Sequence, residues 1–208
     1  MFAELIKNAK IPQGITHIAG PPNSGKTTII YHACKGIKEG KHALVLDCEM
    51  DFSAQRLQNI VINKKVRLQN IVIMTLSDKI KQFQTIMKLH NFTSNMSFSF
   101  IAINGITDHF RYISEKDELS NHRALSMQLA YLKMISKKEK IPILITNQVS
   151  AFKEEDRKEF KPIANSIMIH YSDRNIILQQ INKRLLKALY EHEEVYYTLA
   201  TSGIEMRN

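Results

Sequence analysis

A chain of 208 residues, 44% of them hydrophobic and 24% charged, has the length and composition of one globular domain. We therefore expect residues 1–208 to fold around one core. Cys34 and Cys48 lie far apart and outside any zinc-binding spacing, which fits a reducing cytoplasm. No apolar run is long enough for a signal peptide or a membrane span. The net charge of +9 favours polyanionic partners, with nucleic acid the first expectation.

Five short β-rich runs alternate with helical stretches along the chain. The runs occupy residues 14–19, 42–47, 70–76, 98–103 and 141–146. Strands that alternate with helices are typical of parallel sheets, in which each helix connects one strand to the next. The alternation therefore predicts an α/β fold with a mostly parallel sheet flanked by helices.

The stretch between the third and fourth runs predicts one of these helices, over residues 78–90. Its apolar residues recur with helical spacing and should form a face that packs on the core. We expect Ser77 to cap the helix. The residues of the expected core face are Ile80, Phe83, Ile86 and Met87.

The pattern changes in the last third of the chain. Residues 175–181, 185–191 and 195–200 are β-rich, and the first two segments are separated by a turn near residues 182–184. Short connections of this kind join antiparallel strands. We expect a C-terminal antiparallel extension of the sheet.

The strongest chemical motif, GPPNSGKT, lies between the first predicted strand and a predicted helix and matches GxxxxGK[ST]. Glycines let the backbone N–H groups face phosphate oxygens, and the positive end of the helix adds to the attraction. The lysine would reach the β- and γ-phosphates, and the first threonine would ligate Mg²⁺. The motif alone leaves kinases, GTPases and ATPases open. The predicted nucleotide-binding residues are Gly20, Pro21, Pro22, Asn23, Ser24, Gly25, Lys26, Thr27 and Thr28.

The next strand runs into the segment VLDCEMDFSAQRL at residues 45–57. It resembles the segment (Y/F)IDTEGTFRPERL of the archaeal RadA recombinases and their eukaryotic counterparts, with Glu49, Phe52, Arg56 and Leu57 in register. The resemblance implies that Glu49 polarises the attacking water and that Arg56 stacks on adenine. A carboxylate at the carboxyl end of a strand beside a phosphate-binding loop is also where a general base belongs.

Further blocks extend the resemblance over nearly the full length. ITNQV at residues 145–149 matches the family's ITNQV, which implies that Gln148 senses the γ-phosphate and acts with Lys26 and Glu49 as the catalytic set. KPIANSIMIHYSDR at 161–174 is similar to KPIGGNIIAHASTTR, and ATSGI at 200–204 to ADGI. ELS at 118–120, before a long helix reaching Lys138, is similar to GELSAR. The resemblance implies a RecA-type P-loop NTPase core that binds ATP and Mg²⁺.

The chain also departs from the family pattern. Asn104 stands where the Walker B aspartate is expected, and an amide brings no negative charge to Mg²⁺. Together with Thr27 it is our predicted metal site, from which we expect weakened Mg²⁺ handling and slow hydrolysis. The loop from Ala151 to Lys161, at the place of the family's DNA-channel loop, holds four basic and four acidic residues. The chain begins at the core, so we expect neither a helix-hairpin-helix domain nor a polymerisation linker before it.

Clusters of basic residues are the candidate contacts to DNA phosphates, since phosphate contacts come chiefly from lysine and arginine. A solvated charged surface is an equally good explanation of each cluster. The candidate DNA-binding residues are Lys64, Lys65, Arg67, Arg111, Arg123, Lys183, Arg184 and Lys187.

Three functions fit these features. The first is an accessory recombinase paralogue of the RadB or RadC kind, with weak DNA-dependent ATP hydrolysis. Its expected partners are DNA, above all single strands, and a full-length recombinase or another paralogue, with a homo-oligomer also open. The second is a non-enzymatic, nucleotide-gated regulatory protein of KaiC-like type without DNA affinity. A small-molecule kinase ranks third, because no arginine-rich lid segment is visible.

Overall fold

Helices and strands alternate in the computed structural model, which describes residues 1–61, 68–110, 118–150, 161–162 and 164–207. The helices are α1 Phe2–Asn8, α2 Lys26–Cys34, α3 Ala54–Val61, α4 Lys79–Met87, α5 Leu89–Asn95, α6 Glu118–Glu139 and α7 Asn165–Tyr171. The strands are β1 Ile15–Gly20, β2 His42–Asp47, β3 Ile71–Thr75, β4 Phe98–Asn104, β5 Ile143–Ser150, β6 Lys161–Pro162, β7 Arg174–Gln180, β8 Leu186–Tyr190, β9 Glu193–Ala200 and β10 Gly203–Arg207. Among these helices none is both long and apolar enough to span a membrane.

The described strands form a ten-stranded sheet. Nine strands follow the order β10-β9-β8-β7-β1-β5-β4-β2-β3, and β6 pairs with the end of β5. Neighbours from β7 to β3 run parallel, whereas β7, β8, β9 and β10 pair antiparallel in sequence. The predicted α/β fold, a mostly parallel sheet flanked by helices with a C-terminal antiparallel extension, is confirmed.

Hydrophobic cores lie on both faces of the sheet. Helices α1, α2 and α3 contribute to one core cluster, and α4 to α7 contribute to the other. The alternation of side chains along a strand explains the division, because Ala43 and Val45 of β2 join the first cluster while Leu44 and Leu46 join the second. All six residues of β1 are buried. This central strand is therefore fixed from both sides at the point where it delivers the phosphate-binding loop.

The helix predicted over residues 78–90 differs from the observed one in three respects. It divides into α4 and α5 at Lys88. Asp78 rather than Ser77 is the cap, because the Asp78 carboxylate accepts a hydrogen bond from the Lys81 N–H at 2.8 Å. The placement of Ile80 in the core was wrong, since its side chain is 66% exposed. In the register that this cap sets, Gln82 and Ile86 face inward instead.

The C-terminal strands match the predicted segments, and their first turn is stabilised as expected for asparagine. The Asn182 side chain accepts hydrogen bonds from the N–H groups of Arg184 and Leu185 at 2.9 and 2.8 Å. One further strand of this extension, β10, was not predicted. It follows the turn after β9, in the block that resembles the family's ADGI. This strand extends the antiparallel edge and carries the backbone contact to α2 described below.

Candidate nucleotide-binding site

The phosphate-binding loop connects the carboxyl end of β1 to the start of α2. Asn23 and Gly25 both adopt left-handed conformations, with φ of 61° and 88°. At Gly20 a β-carbon would stand 2.6 Å from the Ser24 hydroxyl oxygen, and at Gly25 it would stand 2.7 Å from a methyl carbon of Leu199. Both motif glycines are thus required by close packing, and the loop keeps the tight curl that phosphate binding needs.

Lys26 folds back over the loop that it follows. Its ammonium donates hydrogen bonds to the carbonyl oxygens of Gly20 and Pro21 at 3.1 and 2.9 Å. The residue is 6% exposed, so its charge is held at the loop and does not extend into solvent. This position places a fixed cation beside the N-terminus of α2, where a triphosphate is most strongly attracted.

A cleft of about 240 Å³ opens above the loop and collects most of the predicted site residues. In the register of β1 and β5, Gly20 lies opposite Gln148, which brings the predicted γ-phosphate sensor to the loop. Glu49 reaches the same cleft from the end of β2. The lining residues are Pro22, Asn23, Gly25, Lys26, Thr27, Thr28, Tyr31, Glu49, Asp51, Arg56, Gln148 and Leu199.

Arg56 and Tyr31 contact each other in this cleft. The Arg56 guanidinium lies 6.0 Å from the Tyr31 ring centroid, and its Nη2 donates to the Thr28 hydroxyl at 3.4 Å. The Tyr31 hydroxyl accepts from the Ser53 N–H at 2.9 Å, and its ring meets Phe52 edge-on at 4.7 Å. The Tyr31 ring is 1% exposed and supports the guanidinium, so the planar cation of Arg56 is the group on which a nucleobase could stack.

Tyr31 was not predicted as a site residue, although the sequence contained a signal for it. It follows Thr27 by four positions in α2, so both side chains lie on one helix face and both reach the cleft.

Glu49 lies in the turn after β2 and packs against Gly105, the residue that follows β4. Gly105 has φ of 73°, and a β-carbon there would stand 2.8 Å from Glu49 Oε1. Any side chain at this position would therefore displace the Glu49 carboxylate. Gly105 could not be singled out from its local sequence, because its role depends on β2 and β4 being neighbours.

Asn104 lies at the centre of a buried polar network at the ends of β2, β4 and β5. Its Oδ1 accepts hydrogen bonds from the hydroxyls of Thr146 and Thr27 at 3.0 and 3.4 Å. Its Nδ2 donates to Asp47 Oδ1 at 3.0 Å and to Asp51 Oδ1 at 2.9 Å. Burial and the neighbouring Asp47 carboxylate raise the pKa of Asp51. The amide thus connects two carboxylates to the threonine of the phosphate-binding loop.

The chemistry of these groups suits Mg²⁺. Hydroxyl and carboxylate oxygens are hard ligands, and Mg²⁺ commonly retains several waters beside one or two carboxylates and the phosphates of its substrate. The described part of the chain contains no group of three or more His, Cys, Asp or Glu arranged to hold a metal. The oxygens around Thr27 and Asn104 therefore fit a metal that is bound together with a nucleotide.

A comparison with protein families decides the relationship. The family model described as Rad51 matches residues 4–206. The chain belongs to the Rad51 family. The observed sheet and helices are accordingly those of a RecA-type fold, as the sequence predicted.

The chain is similar to several archaeal proteins that are named DNA repair and recombination protein RadB. It is 29% identical over 207 residues to the DNA repair and recombination protein RadB of Thermococcus sibiricus, covering 94% of this chain and 88% of that protein. The identity is 28% over 214 residues with the RadB of Thermococcus onnurineus, covering 97% and 92%. With the RadB of Methanocaldococcus jannaschii it is 29% over 204 residues, covering 92% of each chain.

The predicted DNA-binding residues are only partly described in this Rad51-family chain. Lys183 and Arg184 are exposed in the turn between β7 and β8, at the carboxyl edge of the sheet because β7 runs parallel to β1. Arg123 is exposed in the second turn of α6. Lys187 donates to Glu194 at 2.9 Å, so part of its charge is already compensated. The predicted residues outside the described ranges are Lys64, Lys65, Arg67 and Arg111.

Proposed function

We propose that this protein is an ATP-binding accessory of DNA recombination and repair that hydrolyses ATP slowly and acts beside DNA. The observation that carries the proposal is the convergence of Lys26, Glu49, Arg56 and Gln148 on one cleft above the phosphate-binding loop. The names of its relatives, DNA repair and recombination proteins, support the cellular process in this proposal. The RecA-type fold alone would leave the function open.

The cleft residues divide the recognition of ATP among them. Lys26 and the loop N–H groups would hold the triphosphate, and Arg56, supported by the buried Tyr31 ring, would hold the base. Thr27 and the Asn104 network would hold Mg²⁺, which when bound neutralises charge on the phosphates. Glu49 would accept a proton from the attacking water, and Gln148 would contact the terminal phosphate.

Slow hydrolysis follows from the neutral amide at Asn104. A fixed negative charge beside the Thr27 hydroxyl would align the metal and the triphosphate, and the amide oxygen that lies there carries only a partial charge. Replacing Glu49 by glutamine should remove the remaining hydrolysis while leaving ATP affinity nearly unchanged, because the carboxylate acts on water and not on bound phosphate.

ATP binding is tested by replacing Lys26 with alanine. We expect ATP affinity to fall by about 3 kcal/mol, since a buried charge-assisted contact to the phosphates is lost. Isothermal titration calorimetry of the full chain with Mg²⁺ and ATP measures the change. Lys38→Ala is the matched control, because Lys38 is exposed in the loop before β2 at the opposite edge of the sheet. Equal affinities in the native protein and Lys26→Ala would remove the phosphate-binding role.

DNA binding is tested by its dependence on salt. The net charge of +9 predicts that affinity for single-stranded DNA falls steeply as salt rises, because bound phosphates release counterions. Reversing the charges of Lys183 and Arg184 to glutamate should flatten that slope by about two ions if this turn contacts phosphate. Fluorescence anisotropy with a labelled oligonucleotide measures both quantities. ATP binding without DNA binding at low salt would favour the nucleotide-gated regulatory function instead.

A further inference from the structure

Two carboxylates lie next to the amide that replaces the expected Walker B aspartate. Both hydrogens of the Asn104 amide are donated to carboxylate oxygens, one on Asp47 and one on Asp51. Its oxygen accepts from Thr27 and Thr146. Carboxylates of ionised aspartates can only accept, so the orientation of the amide is set by its neighbours. Asn104 uses its full hydrogen-bonding capacity.

Sheet register and one left-handed residue produce this arrangement. Asp47 and Asn104 are partners in the parallel pairing of β2 with β4, which places their side chains side by side. Met50 has φ of 56° in the turn that follows β2. This conformation is uncommon for a residue with a β-carbon and reverses the chain locally. The next residue, Asp51, thereby returns to Asn104 and lines the cleft.

The recombinase segment IDTEGTF differs from this chain at two adjacent positions of that turn. Aligned on Glu49 and Phe52, the segment has glycine at the position of Met50 and threonine at that of Asp51. A carboxylate is thus gained at residue 51, and the expected carboxylate at residue 104 is an amide. The two positions touch in the structure through a 2.9 Å hydrogen bond. The negative charge in this part of the site therefore lies at residue 51 instead of residue 104, and the number of carboxylates at these two positions is the same as in the recombinase pattern.

We propose that Asp51 is a metal-positioning residue, which supplies from the turn after β2 the negative charge that Asn104 lacks, with Asn104 linking it to the Thr27 hydroxyl. This inference rests on the proposed ATP and Mg²⁺ site. The Thr27 hydroxyl can donate its hydrogen to Asn104 and still offer a lone pair to Mg²⁺. Asp51 acts through that amide, so Mg²⁺-dependent binding is retained without requiring fast hydrolysis.

The arrangement predicts how the protein responds to an aspartate at residue 104. In the present network, an Asn104→Asp substitution would place a third carboxylate against Asp47 and Asp51, both within hydrogen-bonding distance of the present amide nitrogen. Like charges at such distances disfavour one another unless a proton or a cation lies between them. We therefore expect this variant to unfold at a lower temperature in metal-free buffer and to recover with Mg²⁺.

The test compares Mg²⁺-dependent nucleotide binding in the native protein and in charge-exchange variants. Affinity for a slowly hydrolysed ATP analogue is measured by calorimetry in EDTA and in Mg²⁺. We expect Mg²⁺ to increase native affinity by about tenfold or more, and Asp51→Asn to lose most of that gain. In EDTA, Asp51→Asn should bind at least as well as the native protein, because a negative charge near the phosphates has been removed. Asparagine at residue 51 can still accept from Asn104 and should preserve the fold.

The double variant Asp51→Asn with Asn104→Asp separates charge from hydrogen bonding. It returns the carboxylate to residue 104, so we expect the Mg²⁺-dependent gain to recover to within about threefold of the native value. Glu39→Gln is the control, since Glu39 is an exposed carboxylate in the loop at the opposite edge of the sheet. A native Mg²⁺ response in Asp51→Asn, or no recovery in the double variant, would overturn the role of Asp51. Absence of nucleotide binding by the native protein would instead overturn the proposed function.

Discussion

Arg56 lines the candidate nucleotide-binding cleft and contacts both Tyr31 and Thr28 of α2. Its guanidinium lies over Tyr31 and donates a hydrogen bond to Thr28 in the first turn of α2. A fixed planar cation loses little freedom when a base stacks on it. Base recognition here should therefore be separable from phosphate recognition.

Replacing Arg56 with alanine tests that separation. We expect ATP affinity to fall by about 0.5–2 kcal/mol, as for the loss of a partly desolvated cation–aromatic stack. Affinity for inorganic tripolyphosphate should be nearly unchanged, because the base contact is absent from that ligand. Calorimetry with both ligands measures the difference, and the control is Arg207→Ala, since Arg207 is exposed at the end of β10. An equal loss for both ligands would place Arg56 among the phosphate contacts.

The site residues that could be predicted from the sequence are those that belong to short contiguous motifs. Lys26 and Gln148 belong to short blocks between a strand and the next element, and the cleft contains both. Asp51 could not be assigned a role in this way. Its contact with Asn104 depends on the register of two strands and on the left-handed turn at Met50, and neither property is encoded in a local pattern.

At the scale of elements, α4 packs on α6 through a buried polar contact. Gln82 is 0% exposed, and its Nε2 donates to the Ile106 carbonyl at 2.9 Å and to Gln128 Oε1 at 3.0 Å. The Ile106 carbonyl belongs to the turn that follows β4, directly after Asn104 and Gly105. This glutamine therefore connects the packing of two helices to the end of a strand that carries site residues.

Replacing Gln82 with alanine should destabilise the protein by about 2–3 kcal/mol, because a buried carbonyl loses its partner and a small cavity remains. Urea unfolding followed by circular dichroism measures the free energy of unfolding. Gln84→Ala, on the exposed face of the same helix, should change that free energy by less than about 0.5 kcal/mol. Equal effects of the two substitutions would contradict a specific role for the buried amide.

The same element shows where prediction from hydrophobic spacing ends. Every predicted strand was found. Strands β1, β2 and β4 are buried almost throughout, and such parallel strands are short apolar runs that stand out from their surroundings. For α4 the apolar spacing indicated a helix and placed Ile86 in the core correctly, but it counted the exposed Ile80 and left out the buried Gln82. A buried polar residue whose side chain donates hydrogen bonds inside the core, as Gln82 does through Nε2, is missed by a pattern that assumes polar residues face solvent.

At the scale of the whole molecule, the antiparallel extension packs against the loop and the helix α2 that form the candidate nucleotide-binding site. The Tyr197 hydroxyl of β9 donates to the Ser24 carbonyl at 2.9 Å, and Leu199 packs against Gly25. From β10, the Ile204 N–H donates to Nε2 of His32 in α2 at 2.8 Å. The last strands of the chain thus hold the loop and helix that the first strand delivers, so the loop depends on the folding of the full sheet.

Two buried histidines should make that folding sensitive to acid. Burial lowers the pKa of His17 to about 4, and burial together with the Lys35 ammonium lowers the pKa of His32 to about 4. The contacts of His32 fit a neutral ring that donates from Nδ1 to the Ile6 carbonyl and accepts at Nε2 from Ile204. Protonation of Nε2 would place its N–H against the N–H of Ile204, so that two donors would face each other without an acceptor.

The sign of the pH dependence follows from these lowered values. An unfolded chain binds protons on both histidines below about pH 6.5, whereas the folded chain resists them until about pH 4. The free energy of unfolding should therefore be highest above pH 6.5 and fall as the pH decreases to 4, by about 3 kcal/mol for each histidine. Urea unfolding at several pH values between 7 and 4.5 measures the loss. His32→Gln, whose amide oxygen can accept from Ile204, should lose about half of this pH dependence. A free energy of unfolding that stays constant between pH 7 and 5 would show that neither ring is held neutral by the fold.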